Sequence, residues 1–287
     1  MGYVVTNNFS EEIEIKTANF RFSAKRWGVP GNRKVLGLHG WLDNAATFDR
    51  LAPLLKDIEL VSLDFAGHGF SDHRPNGIRY HYVDYISDVI SVVDQLGWDK
   101  FSILGHSLGA GVACMTAGVV PKRIVQLLLI EGLGPMTRDP GNSATYLAKS
   151  VQQMKMLEKK QLPTYKNLDD MVQARAAVGD MNMDSVKILV QRGSKEQKGG
   201  VTWRSDPRLK IASPLYLTEE QVFSFLDEIQ ASVLLIIGDS GYLVNRDYLT
   251  TNGSHIKKLK VETLTGGHHL HLDNPESVAK MVNDFWI

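Results

Sequence analysis

The chain has 287 residues, 43% of them hydrophobic, which is enough for one sizeable core and a modest insertion. Lys plus Arg and Asp plus Glu number 32 each, and the resulting formal charge of zero argues against nucleic acid or an anionic membrane as partner, so we expect a small-molecule ligand. The single cysteine, Cys114, cannot form an internal disulfide, and neither a secretory leader nor a long apolar stretch is evident, so we expect a soluble, cytoplasmic protein.

The first two predicted elements are short strands. Residues 12–15 and 20–24 alternate between apolar and polar side chains, which is typical of an antiparallel pair at the edge of a sheet. The runs that follow are continuously apolar, as in strands buried on both faces: Val35–Leu38, Leu60–Leu63, Phe101–Leu104, Ile124–Ile130 and Val233–Ile237. Helical patterns lie between them, the clearest at Tyr82–Leu96, and this alternation predicts an α/β fold with a mostly parallel central sheet flanked by helices.

The strand pattern is interrupted after Gly134-Pro135. Apolar residues at helical spacing recur in 147–157, 168–177 and 183–190, and no further buried strand is indicated before about Asp227. We therefore predict a core formed by 1–134 and 228–287, with a helical cap formed by 135–227.

A nucleophile elbow is the strongest chemical motif. The apolar strand at 101–104 leads into Gly105-His106-Ser107-Leu108-Gly109, a Gly-x-Ser-x-Gly turn, and a helix begins at once. Such a turn holds a serine hydroxyl out of the sheet, and the N-terminus of the following helix favours a developing negative charge. Ser107 is therefore the predicted nucleophile.

Further motifs extend over nearly the whole chain, and together with the elbow they carry a resemblance to a known family. They are His39-Gly40-Trp41-Leu42-Asp43-Asn44, Asp64 to Ser71, Trp203 to Arg208, and Gly266-Gly267-His268-His269. With them the chain resembles enzymes of the α/β-hydrolase fold and, within that fold, the serine hydrolase-like proteins and bacterial esterases of that type. The resemblance implies a catalytic triad in the chain order Ser, acid, His.

The turn after the first buried strand predicts half of an oxyanion hole. Acyl transfer develops a negative oxygen that needs two oriented N–H donors, and we assign these to the backbones of Trp41 and Leu108. The Trp41 side chain either lines the acyl pocket or simply packs. With Trp41, His106 and Trp203 are the candidate substrate contacts.

The base must come late in the chain. His268 follows Gly267 and precedes the turn Asp273-Asn274-Pro275, which is the setting of the catalytic histidine in members of the fold. A neutral imidazole can accept the proton of Ser107 at neutral pH and return it to the leaving group. We expect no metal at the nearby His269 and His271, because no Cys or second histidine pair completes a ligand set.

The triad acid has two candidates. Members of the fold commonly carry Gly-x-x-Asp after a late strand, but the Asp position is Gly241 in this chain. Asp239 lies two residues earlier, whereas Glu131 ends the strand at 124–130 and matches the acid of another branch of the fold. Either carboxylate could orient the imidazole, and we favour Glu131 because of this match.

A serine nucleophile implies an acyl-enzyme and therefore an acyl substrate. The prediction is a cofactor-free serine esterase that cleaves small carboxylic esters. The alternatives are a thioesterase or lactonase, a carbon-carbon bond hydrolase with the same triad, and a slow-turnover ligand receptor of the same fold.

Overall fold

The structure is a computed structural model that describes residues 10–157, 162–243 and 247–286. The strands, in chain order, are β1 (Glu11–Lys16), β2 (Arg21–Gly28), β3 (Arg33–Leu38), β4 (Ile58–Leu63), β5 (Phe101–His106), β6 (Ile124–Ile130), β7 (Ser194–Gln197), β8 (Gly200–Trp203), β9 (Ser232–Gly238) and β10 (Leu259–Leu264). The helices are α1 (Asp84–Gln95), α2 (Leu108–Val119), α3 (Ser143–Leu157), α4 (Leu168–Ala176), α5 (Met183–Gly193), α6 (Glu219–Asp227), α7 (Asp247–Ser254), α8 (Leu270–Asp273) and α9 (Pro275–Phe285).

Eight strands form one central sheet in the order β1-β2-β4-β3-β5-β6-β9-β10. The pairs β1–β2 and β2–β4 are antiparallel, and every other neighbouring pair is parallel. The edge position of β1 fits its sequence, because Ile15 is buried while its glutamates face outward. The predicted fold class, including the antiparallel edge pair, is confirmed.

The central strands are continuously apolar because the sheet is covered on both faces. In β6, Leu127 and Leu129 pack into a cluster with α1 and α2, whereas Leu128 and Ile130 pack into a second cluster with α9. Successive side chains of a strand point to opposite faces, so such a strand carries apolar residues on both faces.

The segment between β6 and β9 forms a cap with its own apolar cluster. Asn167 and Asn182 cap the N-termini of α4 and α5 with their side chains, and Met171 and Val186 lie in that cluster together with Leu272 of the core. The cap also contains an antiparallel hairpin of β7 and β8, which the sequence analysis did not predict. The strand β7 (Ser194–Gln197) is polar at every position and therefore shows no alternation of apolar and polar residues.

Helix α6 lies against the core rather than within the cap cluster. Its Val222 and Leu226 belong to the core cluster that contains α2, although the sequence analysis assigned residues 219–227 to the cap. The limits of the cap at 135 and 227 stay a prediction.

The parallel strands place their carboxyl ends at one edge of the sheet, where the loops after β3, β5, β6 and β10 meet. This edge carries the candidate active site. Across the parts of the chain that the structure describes, we find no helix with the length and apolar character needed to cross a bilayer.

Candidate active site

Ser107 occupies the tight turn between β5 and α2. Its φ of 52° lies in the left-handed region, which a non-glycine residue adopts rarely, and its backbone N–H donates to the Ile130 carbonyl at 2.9 Å. A Cβ at Gly109 would lie 2.1 Å from the Leu38 carbonyl oxygen, and one at Gly105 would lie 2.6 Å from the Gly109 carbonyl oxygen. Both glycines are therefore required for the helix to approach the sheet this closely.

His268 lies in the loop after β10, with a quarter of its side chain exposed. Its Nδ1 is 3.1 Å from Oε2 of Glu131. Its backbone is held on both sides, since the N–H donates to Asp180 of the cap at 2.9 Å and the carbonyl accepts from Nε2 of His106 at 2.9 Å. The ring thus has one nitrogen engaged by a carboxylate and a backbone fixed by two neighbouring segments.

Of the two acid candidates, the structure brings only Glu131 to the histidine. The Glu131 side chain is fully buried, and its carboxylate also accepts the backbone N–H groups of Gly238 at 2.8 Å and Tyr242 at 2.6 Å. Asp239 is exposed and accepts the Gly266 N–H at 3.1 Å. Glu131 has a φ of 52°, so the backbone at the end of β6 turns sharply where the carboxylate enters the site.

The same carboxylate explains why position 241 is a glycine. A Cβ at Gly241 would lie 2.2 Å from Oε1 and 2.7 Å from Oε2 of Glu131, so any side chain there would overlap the carboxylate. The position that commonly carries the acid in this fold is thus filled by the Glu131 side chain, which arrives from β6. The departure seen in the sequence has a steric cause.

The hydroxyl of Ser107 and the ring of His268 lie on adjacent segments. Residue 106, which precedes the serine, contacts the His268 carbonyl, and its ring centroid is 4.8 Å from that of His268. Among the described residues no hydrogen bond joins the Ser107 hydroxyl to His268. A hydrolase without substrate commonly has a long contact at this point, which shortens when substrate binds.

The two predicted oxyanion donors lie at the first turn after β3 and at the start of α2. Within residues 10–157, 162–243 and 247–286, the backbone N–H groups of Trp41 and Leu108 have no acceptor. The next residue, Leu42, has a φ of 63° and donates its N–H to Nε2 of His68 at 3.3 Å, which fixes the turn. The Trp41 side chain is 54% exposed, and its indole N–H donates to the Leu209 carbonyl at 3.0 Å.

The other two predicted substrate contacts, His106 and Trp203, lie in packed surroundings. The side chain of His106 is fully buried, with its ring packed against three other imidazoles, so contact with substrate does not fit its position. The side chain of His106 points into the protein, although the residue is adjacent to Ser107 in the sequence. Trp203 packs against Tyr165 at a ring centroid distance of 6.2 Å and forms part of the cap's own packing.

A second histidine-carboxylate pair, formed by His269 and Asp43, lies next to the first. Nε2 of His269 is 3.0 Å from Asp43 Oδ2, its Nδ1 is 3.9 Å from Asp180 Oδ1, and Arg175 approaches the other oxygen of Asp43 at 3.4 Å. Burial alone would lower the pKa of His269, but the carboxylates of Asp43 and Asp180 outweigh it and raise that pKa to about 9. His269 is therefore an imidazolium at neutral pH.

The neighbouring histidines are neutral. Burial, reinforced by the adjacent histidines, holds the pKa of His106 and of His271 well below the ordinary value. His271 is anchored by Thr47 through a 2.8 Å contact between Nε2 and the hydroxyl oxygen. Burial and neutrality identify both rings as packing elements behind the reactive groups.

This second pair was missed by the sequence analysis. Asp43 stands in the quoted motif 39–44, but its partner His269 is 226 residues away, and Asp180 belongs to the cap. The side chains of Asp43, His106 and His269 bring potential metal-ligand atoms within 4.8 Å of one another. The contacts of Asp43 with His269 and Arg175, and of Asp180 with the His268 N–H, form a polar network that joins the turn after β3, the loop after β10 and the cap.

Comparison with known proteins identifies a matching family model and similar proteins. A family model described as alpha/beta hydrolase fold matches residues 35–275. The serine hydrolase-like protein of Danio rerio is 32% identical over 274 residues, which cover 90% of this chain and 83% of that protein.

Two solved structures are similar over nearly their whole length. The hypothetical protein PA1622 of Pseudomonas aeruginosa PAO1 is 39% identical, with a TM-score of 0.92 over 96% of this chain and 99% of that chain. A thioesterase domain from the curacin biosynthetic pathway is 26% identical, with a TM-score of 0.83 over 96% of this chain and 99% of that chain.

Proposed function

The chain belongs to the α/β-hydrolase fold family, and from that membership we propose that it is a serine hydrolase that cleaves small carboxylic esters through an acyl-enzyme at Ser107. The observation that carries the proposal is the 3.1 Å contact between His268 Nδ1 and the buried Glu131 carboxylate, next to the strand-to-helix turn that bears Ser107. A carboxylate on Nδ1 keeps the proton there and leaves Nε2 as the proton acceptor.

In the first half of the reaction, Ser107 Oγ attacks the ester carbonyl carbon while Nε2 of His268 takes the hydroxyl proton. The carbonyl electron pair moves onto oxygen, and this oxyanion is bound by the N–H groups of Trp41 and Leu108. The tetrahedral intermediate then re-forms the carbonyl and expels the alkoxide, which takes the proton from His268 and leaves as an alcohol.

In the second half, a water molecule replaces the alcohol. Nε2 of His268 removes a proton from it, and the oxygen attacks the acyl carbon to form a second tetrahedral intermediate. The intermediate releases Ser107, which recovers the proton from His268, and the product is a carboxylic acid. Throughout, Glu131 stays ionised and stabilises the imidazolium that forms twice per cycle.

The absence of an acceptor for the Trp41 and Leu108 N–H groups in the described regions supports their role. Donors that are oriented and unpaired before the reaction stabilise developing charge without reorganisation, and one such donor contributes about 10²–10³-fold to kcat. The fixed turn at Leu42 supports the same role for Trp41.

The test is labelling and turnover at Ser107. The protein is treated with a fluorophosphonate probe and assayed with p-nitrophenyl esters of short acyl chains, alongside the Ser107→Ala variant. We expect the wild-type protein to be labelled and to turn over many times, and the variant to do neither while keeping its circular dichroism spectrum. Labelling without turnover would favour a ligand receptor, and turnover by Ser107→Ala would contradict the proposal.

Thioester hydrolysis is the second candidate, favoured by the likeness to the curacin thioesterase domain. The same acyl-enzyme would serve, with a thiolate in place of an alkoxide as leaving group. Hydrolysis of a matched oxygen ester and thioester of one acyl chain separates the two, because the kcat/KM values for the two leaving groups are compared directly.

A further inference from the structure

A pocket lies between the core and the cap hairpin, and neither Ser107 nor His268 lines it. It has a volume of about 380 Å³ and is lined by Arg21 of β2, the loop 69–73 that follows β4, Lys195 of β7 and Arg204, which follows β8. Its walls come from the core and from the cap hairpin with the residue that follows it. A ligand bound here would touch both.

The positive charges of this pocket are only partly compensated. Arg21 pairs with Asp72, the one carboxylate among the lining residues, and with Glu14 at 3.4 Å. For Arg204 and Lys195 we find no carboxylate within ion-pair distance anywhere in the described ranges. Lys195 and Arg204 therefore line the pocket without an ion-paired carboxylate of their own.

Arg204 is positioned by an aromatic ring rather than by a carboxylate. Its guanidinium carbon lies 4.4 Å from the ring centroid of Phe70, and that of Arg192 lies at the same distance from the same ring. Arg192 is neutralised by Asp64 at 2.7 Å and by Glu12, whereas the buried Nε of Arg204 has no hydrogen-bond partner in the described parts of the chain.

Burial, together with the nearby charge of Arg192, lowers the pKa of Arg204, and the charge of Asp64 opposes this shift only in part. Holding a guanidinium in such a place without a directly paired carboxylate is unfavourable, and an anion in the pocket would relieve it. The planar fork of an arginine pairs with two oxygens of one anion, which makes it the side chain best suited to bind one here.

We propose that this pocket binds the phosphate group of a soluble phosphate monoester, held by Arg204 and Lys195 from the cap hairpin against the loop 69–73 of the core. The two cations that lack an ion-pair partner match a group that carries a charge of about −1.5 to −2 at neutral pH. A carboxylate would leave one of the two cations unpaired. Bound phosphate would tie the hairpin to the core, and the site is independent of the chemistry at Ser107.

The test is calorimetric titration of the full chain with inorganic phosphate in a chloride buffer of constant ionic strength. We expect saturable binding that is the same in the wild-type protein and in Ser107→Ala, and at least about tenfold weaker in Arg204→Gln, which loses charge-assisted hydrogen bonds. Acetate should bind at least about tenfold more weakly than phosphate, since it carries a single charge. Ser107→Ala separates this proposal from the proposed esterase activity, because phosphate binding does not require the nucleophile.

Matched variants on the same hairpin serve as controls. Lys195→Gln should weaken phosphate binding several-fold, whereas Lys198→Gln, which removes the same charge from the exposed turn between β7 and β8, should not. Arg204→Lys keeps the charge without the fork and should give an intermediate affinity, which also covers the case in which Arg204→Gln fails to fold.

Three outcomes would overturn the proposal. The first is equal affinity of Arg204→Gln and wild type, and the second is equal weakening by Lys195→Gln and Lys198→Gln, which would indicate a general charge effect. The third is Arg204-dependent sedimentation with vesicles that contain phosphatidic acid combined with no binding of inorganic phosphate, which would assign the pocket to a lipid headgroup.

Discussion

Two adjacent histidines, His268 and His269, each lie against a buried carboxylate, yet they differ in every property that matters for proton transfer. His268 contacts Glu131 through Nδ1 and keeps a quarter of its side chain exposed. His269 contacts Asp43 through Nε2, has Asp180 beside its other nitrogen, and is only 9% exposed.

The contrast shows what distinguishes a base from an ion-pair partner. A ring with one nitrogen facing a carboxylate and the other open can exchange protons with substrate, whereas a ring between two carboxylates holds its proton too tightly. The pKa of His269, raised to about 9, reflects this tighter hold on the proton. Sequence adjacency therefore says little about which histidine reacts.

The largest expected effect comes from replacing His268, and the same replacement of His269 is its matched comparison. His268→Gln should lower kcat for a p-nitrophenyl ester by about 10⁴-fold or more, because no other group in the triad can accept the proton of Ser107. His269→Gln should lower kcat by less than about tenfold, since that ring acts only through position. Comparable losses in the two variants would break the comparison.

The carboxylate partner of His268 comes next. Glu131→Gln should lower kcat by about 10²–10⁴-fold, because a neutral amide neither orients the imidazole correctly nor stabilises its charged form. Asp239→Asn is the matched control and should keep wild-type activity, since the one hydrogen bond that its carboxylate makes among the described residues is with the Gly266 N–H. The assay is kcat against pH for both variants, and a larger loss in Asp239→Asn would move the acid role to that residue.

The steric conflict at position 241 sharpens the comparison through stability. Gly241→Asp should lower the free energy of unfolding by about 2–4 kcal/mol, because its Cβ overlaps the Glu131 carboxylate and two carboxylates would share one site. Adding Glu131→Gly should recover part of that loss, since glycine suits the φ of 52° at residue 131. Urea denaturation of the single and double variants gives the coupling free energy, and strictly additive effects would contradict the overlap.

The smallest effect concerns pH. A histidine whose pKa rises on folding contributes stability that is complete below its unfolded value of about 6.5 and is lost as pH rises through the folded value. With a folded pKa of about 9, His269 should stabilise the protein by about 1–3 kcal/mol at pH 7 and by almost nothing at pH 10. The difference in free energy of unfolding between wild type and His269→Gln should shrink accordingly, and a constant difference from pH 7 to pH 10 would exclude the imidazolium.

Much of this molecule could be predicted from local patterns in the sequence. The sheet follows from short apolar runs, and Ser107 from a turn whose glycines are adjacent to it in the chain. Glu131 was favoured over Asp239 as the partner of His268 because it ends a recognisable strand and matches the acid position of another branch of the fold. The strands and the elbow depend on residues close together in sequence, whereas the contact of Glu131 with His268 joins residues 137 apart.

What could not be predicted depends on distant segments. The bond between Asp43 and His269 joins residues 226 apart, and the contact of Asp180 with the His268 backbone requires the cap to be folded onto the core. The inward direction of His106 follows from packing against three other imidazoles. The hairpin of β7 and β8 gives no periodic signal because β7 is polar at every position, although its residue Lys195 and the following Arg204 line the pocket between the core and the cap hairpin.

The contact between Asp180 and the His268 N–H has a consequence for protein engineering. Exchanging the cap of one hydrolase for that of another is an attractive way to graft a new specificity, since the reactive groups belong to the core. In this molecule the donor module would have to bring a carboxylate to the same 2.9 Å position, or the loop that carries the imidazole would lose an anchor. A chimera designed on cavity shape alone is therefore expected to acquire the desired selectivity but to hold the imidazole of His268 out of alignment with Ser107.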